Sequence, residues 1–462
     1  MAGGRGTRFW PRSREKKPKH LLDITSDRTI IQETVDRIKP IIDPKNILVV
    51  TGKKQARELK KQLPHVPSGN IIIEPYGKNT AACIGLAALH IQKKSGDDIM
   101  AVLPADHAIG NSDEYRKVLS AAIQAAAQPD TLVTVGIKPH SPHTGFGYIE
   151  RGESCGRISG REVFRVRSIR EKPDMIQAQS FVKSGNFYWN SGMFIWKTSA
   201  ILDRIERFLP ELHKGLVKIK KALGTAHEAR TLADVYKKLP SISIDYGVME
   251  KANNAFVFPA DFGWSDVGSW DTVYELAVKN PQGNAAACSS EAIFENTQNC
   301  YVYSPKKLVA IVGAEDLIVV DTKDALLICK KGFSQNVKKV VEKLEKEKVP
   351  VISYFKNKGF PLSLSSPLLS SSIIASIETT SSSKVIIKKS LRLNSYFFTP
   401  STLFRIAPIL LLAPQAAQPG TVNRTIFSSA NVAPETTNRK TNTKKTMNLF
   451  FIRHPWDMFP PQ

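Results

Sequence analysis

Near its start the chain reads Gly3-Gly4-Arg5-Gly6-Thr7-Arg8, and Arg12, Arg14 and Lys19 follow closely. Glycine tolerates positive φ and lets backbone approach a bulky anion. Successive backbone N–H groups in such a turn form a concavity for phosphate oxygens, and neighbouring Arg and Lys supply the opposing charge. The pattern therefore predicts a phosphate-binding loop formed by Gly3, Gly4, Gly6 and Thr7. The plain alternative is a solvated basic terminus. A phosphate loop ordinarily follows a buried strand, and no apolar run precedes this one in the sequence.

A phosphate loop needs a counter-cation, and two short runs offer hard oxygen ligands. Leu103-Pro-Ala-Asp106-His107 and Trp264-Ser-Asp266-Val-Gly-Ser-Trp270 each present one aspartate. Mg²⁺ typically takes one or two carboxylates and leaves its other positions to water and substrate phosphates. Either aspartate alone would serve equally well as a turn or cap residue. Glu74, before Pro75, could accept from the N1–H and amino group of guanine, a pair of donors that adenine lacks. Asn79 and Thr80 follow it and would otherwise simply cap a helix. Gly145 and Gly147 allow close approach of a sugar, Glu171 could accept from its hydroxyls, and Lys172 would neutralise a phosphate. Asn190 and Ser191 interrupt an apolar run and need polar partners.

The elements that must position these residues alternate. Strands are expected at Asn46–Thr51, Asn70–Glu74, Asp98–Pro104 and Thr131–Gly136, and helices at Lys53–Gln62, Thr80–Lys93 and Ser112–Gln128. Strand–helix alternation with continuously apolar strands predicts an α/β fold with a parallel sheet covered on both faces. Ligands then sit beyond the carboxyl ends of the strands, where the polar residues above fall. From Ala285 to about Lys348 short β-rich runs and a charged helix predict a small accessory module. The expected organisation is residues 1–284 as one domain, 285–354 as the module, and 355–462 as a basic tail without the periodicity of a packed domain, read as disordered.

The net charge is +23, and residues 351–462 hold 13 Lys and Arg against 3 Asp and Glu. A cationic surplus suits an enzyme of phosphorylated substrates. No basic cluster is interleaved with aromatics, so no nucleic-acid partner is expected, although tail binding to nucleic acid or membrane is the alternative. The five cysteines form no C-x-x-C pair, which argues against a disulfide framework or zinc site and for a reducing compartment. No apolar run reaches membrane-spanning length, and the expected location is the cytoplasm.

The runs taken together resemble a family. Gly3–Arg8 with Pro18-Lys19 is similar to the signature of the sugar-1-phosphate nucleotidyltransferases. Glu74–Thr80, Leu103–His107, Glu171–Pro173, Trp189–Gly192, Ser243–Lys251 and Asp266–Trp270 closely resemble the mannose-1-phosphate guanylyltransferases, in order, from residue 1 to about 350. The resemblance implies a Rossmann-like nucleotidyltransferase fold and transfer of GMP from GTP to α-D-mannose 1-phosphate. It implies that Asp106 and Asp266 hold Mg²⁺, that Arg8 and Lys19 meet the triphosphate, and that Lys172 also serves catalysis. Gly3, Gly4, Gly6, Thr7, Glu74, Asn79 and Thr80 would lie by the nucleotide, and Gly147, Glu171 and Asn190 by the sugar phosphate. A homodimer through the β-module is expected.

Three departures stand out. The family's loop follows a first strand of the central sheet, and that strand is missing here, which would leave a sheet position unpaired. Position 78 is Lys where the family commonly has Arg. Longer members carry a cupin-type isomerase domain, but beyond residue 355 only His454 is a histidine, so no second activity is expected. The alternatives are a related enzyme with another NTP or hexose phosphate, or an inactive nucleotide-binding remnant.

Overall fold

The computed structural model describes residues 6–288, 292–347, 349, 376–379, 385–388 and 447–452. The first described element is a 3₁₀ turn at Thr7–Phe9, and the chain then enters α1 (Ile30–Ile38), where Thr29 and Gln32 form a capping box. Then come β1 (Ile47–Gly52), α2 (Lys53–Gln62), β2 (Ile71–Glu74), α3 (Asn79–Ser95), β3 (Ile99–Pro104) and the short β4 (Ala108–Ile109). Asn111 caps α4 (Ser112–Ala126), accepting from the Glu114 N–H, and β5 (Leu132–Ile137) follows. A long hairpin of β6 (Gly147–Ile158) and β7 (Arg161–Glu171) leads to α5 (Met175–Ser184) and β8 (Phe187–Lys197). Helices α6 (Thr198–Phe208), α7 (Pro210–Ala222) and α8 (Glu228–Lys238) precede β9 (Ala255–Ala260), β10 (Trp264–Ser265) and α9 (Trp270–Leu276).

Along the sheet the order is β2-β1-β19-β3-β8-β5-β9-β7-β6, where β19 is Met447–Ile452. One half, from β2 to β3, is parallel throughout. The other is mixed, because β8 runs antiparallel to both β3 and β5. Strands β3 and β5 are buried along their whole length, as their unbroken apolar runs require. Separate apolar cores cover the two faces. The Ala- and Leu-rich α3 lies almost wholly inside one of them.

The sheet position left open by the sequence reading is therefore occupied. The strand that fills it comes from the tail, where no element was expected. Residues 376–379 (β17) and 385–388 (β18) form a small antiparallel pair. The remaining tail lies outside the described residues.

The β-module is wound in parallel rather than folded back in hairpins. Strands β11 (Ala285–Cys288), β13 (Tyr301–Ser304) and β15 (Leu317–Asp321) stack in register, as do β12 (Ile293–Glu295) and β14 (Ala310–Val312), and β16 (Leu326–Lys330) alone is antiparallel among the described strands of the module. Helix α10 (Val337–Lys346) closes it. The winding is set by turn residues at equivalent places: Asn299 and Asp316 both adopt positive φ, 54° and 55°, a region in which Asn and Asp are favoured among non-glycine residues.

The module shares a core with the start of the chain. Phe9, Trp10, Leu22 and Ile30 pack with Val267, Trp270, Tyr301, Ile318 and Val341. The Trp270 indole N–H donates to the Trp10 carbonyl at 3.1 Å, and its ring meets Phe9 edge-on at 5.3 Å. Trp270 is fully buried, so Trp270→Ala should cost about 3–5 kcal/mol. Denaturant unfolding monitored in the far-UV would check that figure.

Candidate active site

The loops that carry the predicted residues meet at one end of the sheet. Asp106 lies just past Pro104, the last residue of β3, and β4 pairs antiparallel with β10 so that Ala108 is level with Ser265. That small ladder brings Asp266 to the same place as Asp106, although the two are remote in sequence. The Lys19 ammonium joins them: it lies 3.0 Å from the Asp106 carboxylate and also donates to the Asp266 main-chain oxygen. Both partners of this ion pair are largely buried, with side chains 10% and 19% exposed.

The glycine-rich turn is built around that lysine. Gly6 has φ 58°, and a Cβ there would stand 3.0 Å from the Lys19 Cβ and 3.1 Å from the Lys19 main-chain nitrogen. Any other residue would both strain the backbone and push the lysine away. Thr7 and Arg8 continue into the 3₁₀ turn, and the Arg8 charge reaches the Asp266 carboxyl. Gly3 and Gly4 lie outside the described residues. Arg12 and Arg14 do not join the glycine-rich turn as ligands. Arg12 pairs with Asp23 at 2.6 Å and lies over the Tyr303 ring, and Arg14 pairs with Asp324 at 2.8 Å. Their task is to clamp the loop to the β-module.

Burial, reinforced by the nearby Asp106 charge, pushes the Asp266 carboxyl up to about 6 against the pull of Lys19 and Arg8. Two close carboxylates with too little positive charge between them are suited to a hard divalent cation. Among the described residues no group of three or more His, Cys, Asp and Glu could hold a metal. A two-carboxylate site leaves most of such an ion's positions for water and phosphate oxygens. His107 does not supply a third ligand through Nδ1, which accepts the Trp264 indole N–H at 3.0 Å. Burial pushes this imidazole down to about 3 and keeps it neutral. Val267, next to Asp266, has φ 45°, a strained geometry for a β-branched residue of the kind that collects at functional sites.

A second cluster lies beside the first. The Asn190 amide donates to Asp245 Oδ1 at 2.8 Å and to Glu171 Oε1 at 3.3 Å. Burial, reinforced by the Asp245 charge, pushes Glu171 up to about 8, and burial raises Asp245 as well. Gly147 is level with Glu171 in the β6–β7 ladder, and a Cβ there would collide with the Glu171 carboxylate. Lys172 follows with φ 49°. A Cβ on Gly192 would be 3.6 Å from the Pro104 ring, so the second cluster adjoins the strand that delivers Asp106. Aromatic contacts tie the loops together: Phe146 meets both Trp189 and Trp264, at 5.0 and 5.2 Å between ring centres.

The predicted base-side residues lie at the end of β2 and the start of α3. Asn79 has φ 63° and accepts from the Thr80 N–H, while the Thr80 hydroxyl accepts from the Ile244 N–H at 2.6 Å. Glu74 is buried beside the Tyr236 hydroxyl, whose pKa it helps burial to raise. Lys78 reaches the Lys237 carbonyl at 3.1 Å. Two participants escaped the sequence reading of individual residues. Asp245 had no assigned role within the Ser243–Lys251 run, and no contact was assigned among Phe146, Trp189 and Trp264.

Comparison with known proteins gives this geometry a family. The nucleotidyl transferase family matches residues 1–283, and a MannoseP isomerase/GMP-like beta-helix domain matches residues 290–344. A mannose-1-phosphate guanylyltransferase of Klebsiella pneumoniae is 39% identical over 348 residues, 75% of this chain and 73% of the relative. One from Escherichia coli strain K12 is 38% identical over 354 residues, 75% and 72% of the respective chains. The crystal structure of mannose-1-phosphate geranyltransferase from Thermus thermophilus superposes with a TM-score of 0.68 at 32% identity, covering 75% of this chain and 98% of the other. With its glycine turn, paired aspartates and parallel-wound module, the chain belongs to the nucleotidyl transferase family, in the group of mannose-1-phosphate guanylyltransferases.

Proposed function

We propose that the protein transfers GMP from GTP to α-D-mannose 1-phosphate, releasing pyrophosphate and forming GDP-mannose. The observation that carries the chemistry is the convergence of Asp106, Asp266 and Lys19 at the carboxyl end of β3. The names of the relatives carry the choice of substrates.

The sugar phosphate is itself an anionic nucleophile, so the reaction needs no activated serine or cysteine. The obstacle is the approach of two polyanions in line at the α-phosphorus. Lys19, Arg8 and the backbone N–H groups of the Gly6 turn offset that repulsion, and Lys172 receives the second phosphate. Asp106 and Asp266 would hold Mg²⁺, which when bound supplies Lewis-acid neutralisation of triphosphate charge. Asn79 and Thr80, with Glu74, support the nucleoside side. On the sugar side Asn190, Glu171 and Gly147 form the floor. Because burial keeps a proton on the Glu171–Asp245 pair near neutral pH, that floor can hydrogen-bond sugar hydroxyls without adding a full second negative charge beside the phosphate.

The exposed apolar residues Leu326 and Ile328 on the edge strand β16 support a homodimer through the module. Replacing both by Glu should reduce the mass measured by light scattering to that of a monomer, and an unchanged mass would exclude this face.

Asp106→Asn and Asp266→Asn should each lower turnover by roughly 10²–10³-fold while far-UV circular dichroism is unchanged. Full activity in both would refute the metal assignment. A panel of NTPs and sugar phosphates, read by pyrophosphate release, should single out GTP with mannose 1-phosphate. Another preferred pair would favour the related-enzyme reading.

The Glu171 proton predicts a pH effect. From the ordinary value of 4.5 up to about 8, the folded chain holds a proton that the unfolded chain has released. The stability tied to this group is therefore complete below the lower value and is lost as the pH rises to the upper one. Thermal unfolding of Glu171→Gln should show a shallower decline across that window than the parent chain.

A further inference from the structure

β19 lies between β1 and β3, two strands that α2, β2 and α3 separate along the chain. Its ladder with β3 runs from Met447 level with Ile99 to Ile452 level with Pro104. On its other side Leu449, Phe450 and Phe451 are level with Ile47, Leu48 and Val49. Both ladders are parallel, so β19 points its carboxyl end towards the candidate active site, as β3 does.

Without this strand the sheet falls into two parts. Among the described residues β1 is paired with β2 and β19, and no ladder joins it to β3. Parallel strands are about 4.8 Å apart, so the two strands flanking β19 are too distant to pair with each other. Their facing N–H and C=O groups lie deep in the protein, where an unpaired backbone group is costly. The flanking rows are apolar on both faces. Ile47, Val49, Ala101 and Leu103 belong to the core on one side, and Leu48, Met100 and Val102 to the core on the other. The slot therefore demands a strand that is apolar on both faces. Leu449-Phe-Phe-Ile452 is such a run.

We infer that the slot between β1 and β3 is a strand-binding site, filled in cis by residues 447–452, and that the catalytic end of the sheet depends on its occupancy. Asp106 lies two residues beyond Pro104, and Pro104 is level with Ile452. The end of the β19–β3 ladder thus sets the depth at which Asp106 is presented to Lys19. The far end of the tail becomes part of the catalytic domain. The long intervening chain adds little further closure cost, because that cost grows only logarithmically with length. This inference rests on strand pairing alone and is independent of the substrates proposed above.

Register supplies the test. In the full chain, Val102→Cys with Phe450→Cys places two thiols at level positions of adjacent strands, within the Cα separation that a disulfide spans. Oxidation should give an intrachain 102–450 bridge, identified by peptide mass spectrometry. Val102→Cys with Phe451→Cys, one step out of register and on the opposite face, should give none. Equal bridging in both, bridging in neither, or bridging between two chains would overturn the inference.

A functional measurement stands beside it. Phe450→Pro removes a ladder donor from a central strand and should lower Tm and turnover together. An apolar strand fused ahead of Met1 in that variant, able to enter the same slot, should restore both. Unchanged Tm and turnover in Phe450→Pro, or a soluble variant that the fused strand does not restore, would overturn the inference.

Discussion

One buried ammonium organises the site. Lys19 satisfies the Asp106 carboxylate and the Asp266 carbonyl at once, so it joins a turn near residue 6, the end of β3 and a loop that begins the approach to the module. A buried ion pair contributes little net stability once desolvation is counted, but losing one partner leaves an uncompensated charge. Its value here is geometric. Three segments remote in sequence are held to one point, and the charge that holds them is the charge that a polyphosphate needs.

Beside it lies a cluster with the opposite character. Glu171 and Asp245 are joined through the neutral Asn190 amide, and burial makes the two acids retain a proton. The site therefore changes from a charged cluster of Lys19, Asp106 and Asp266 to a nearly neutral hydrogen-bonding one over a short distance. A ligand with a highly charged end and a hydroxyl-rich end matches that gradient better than one charged throughout.

Much of this was legible because strand ends announce themselves. Pro104 followed by Ala-Asp, and Glu74 followed by Pro, mark the places where apolar runs stop and polar work begins. Strands β1, β2, β3 and β5 fall where their Val and Ile runs put them. Other features were not legible, for identifiable reasons. Arg12 and Arg14 look like phosphate ligands because charge carries no direction in a sequence. Asp23, Asp324 and Tyr303, which claim them, are set by the fold. The module's parallel winding depends on the matched left-handed turns at Asn299 and Asp316, single residues among many Asn and Asp. β19 was invisible because six residues in a Ser- and Thr-rich tail have no period that reveals a partner hundreds of residues away.

The shared core of Phe9, Trp10, Trp270 and Tyr301 has a consequence for how this enzyme can vary. A boundary drawn near residue 284 divides the chain but cuts through a packed interior. The glycine turn rests on side chains that belong to the module, and the module's strands rest on the turn. The two parts therefore cannot be exchanged or lost independently, as modules joined by a linker can. A change in the outer coils of the winding is transmitted to the glycine turn, so the module constrains the candidate site from behind.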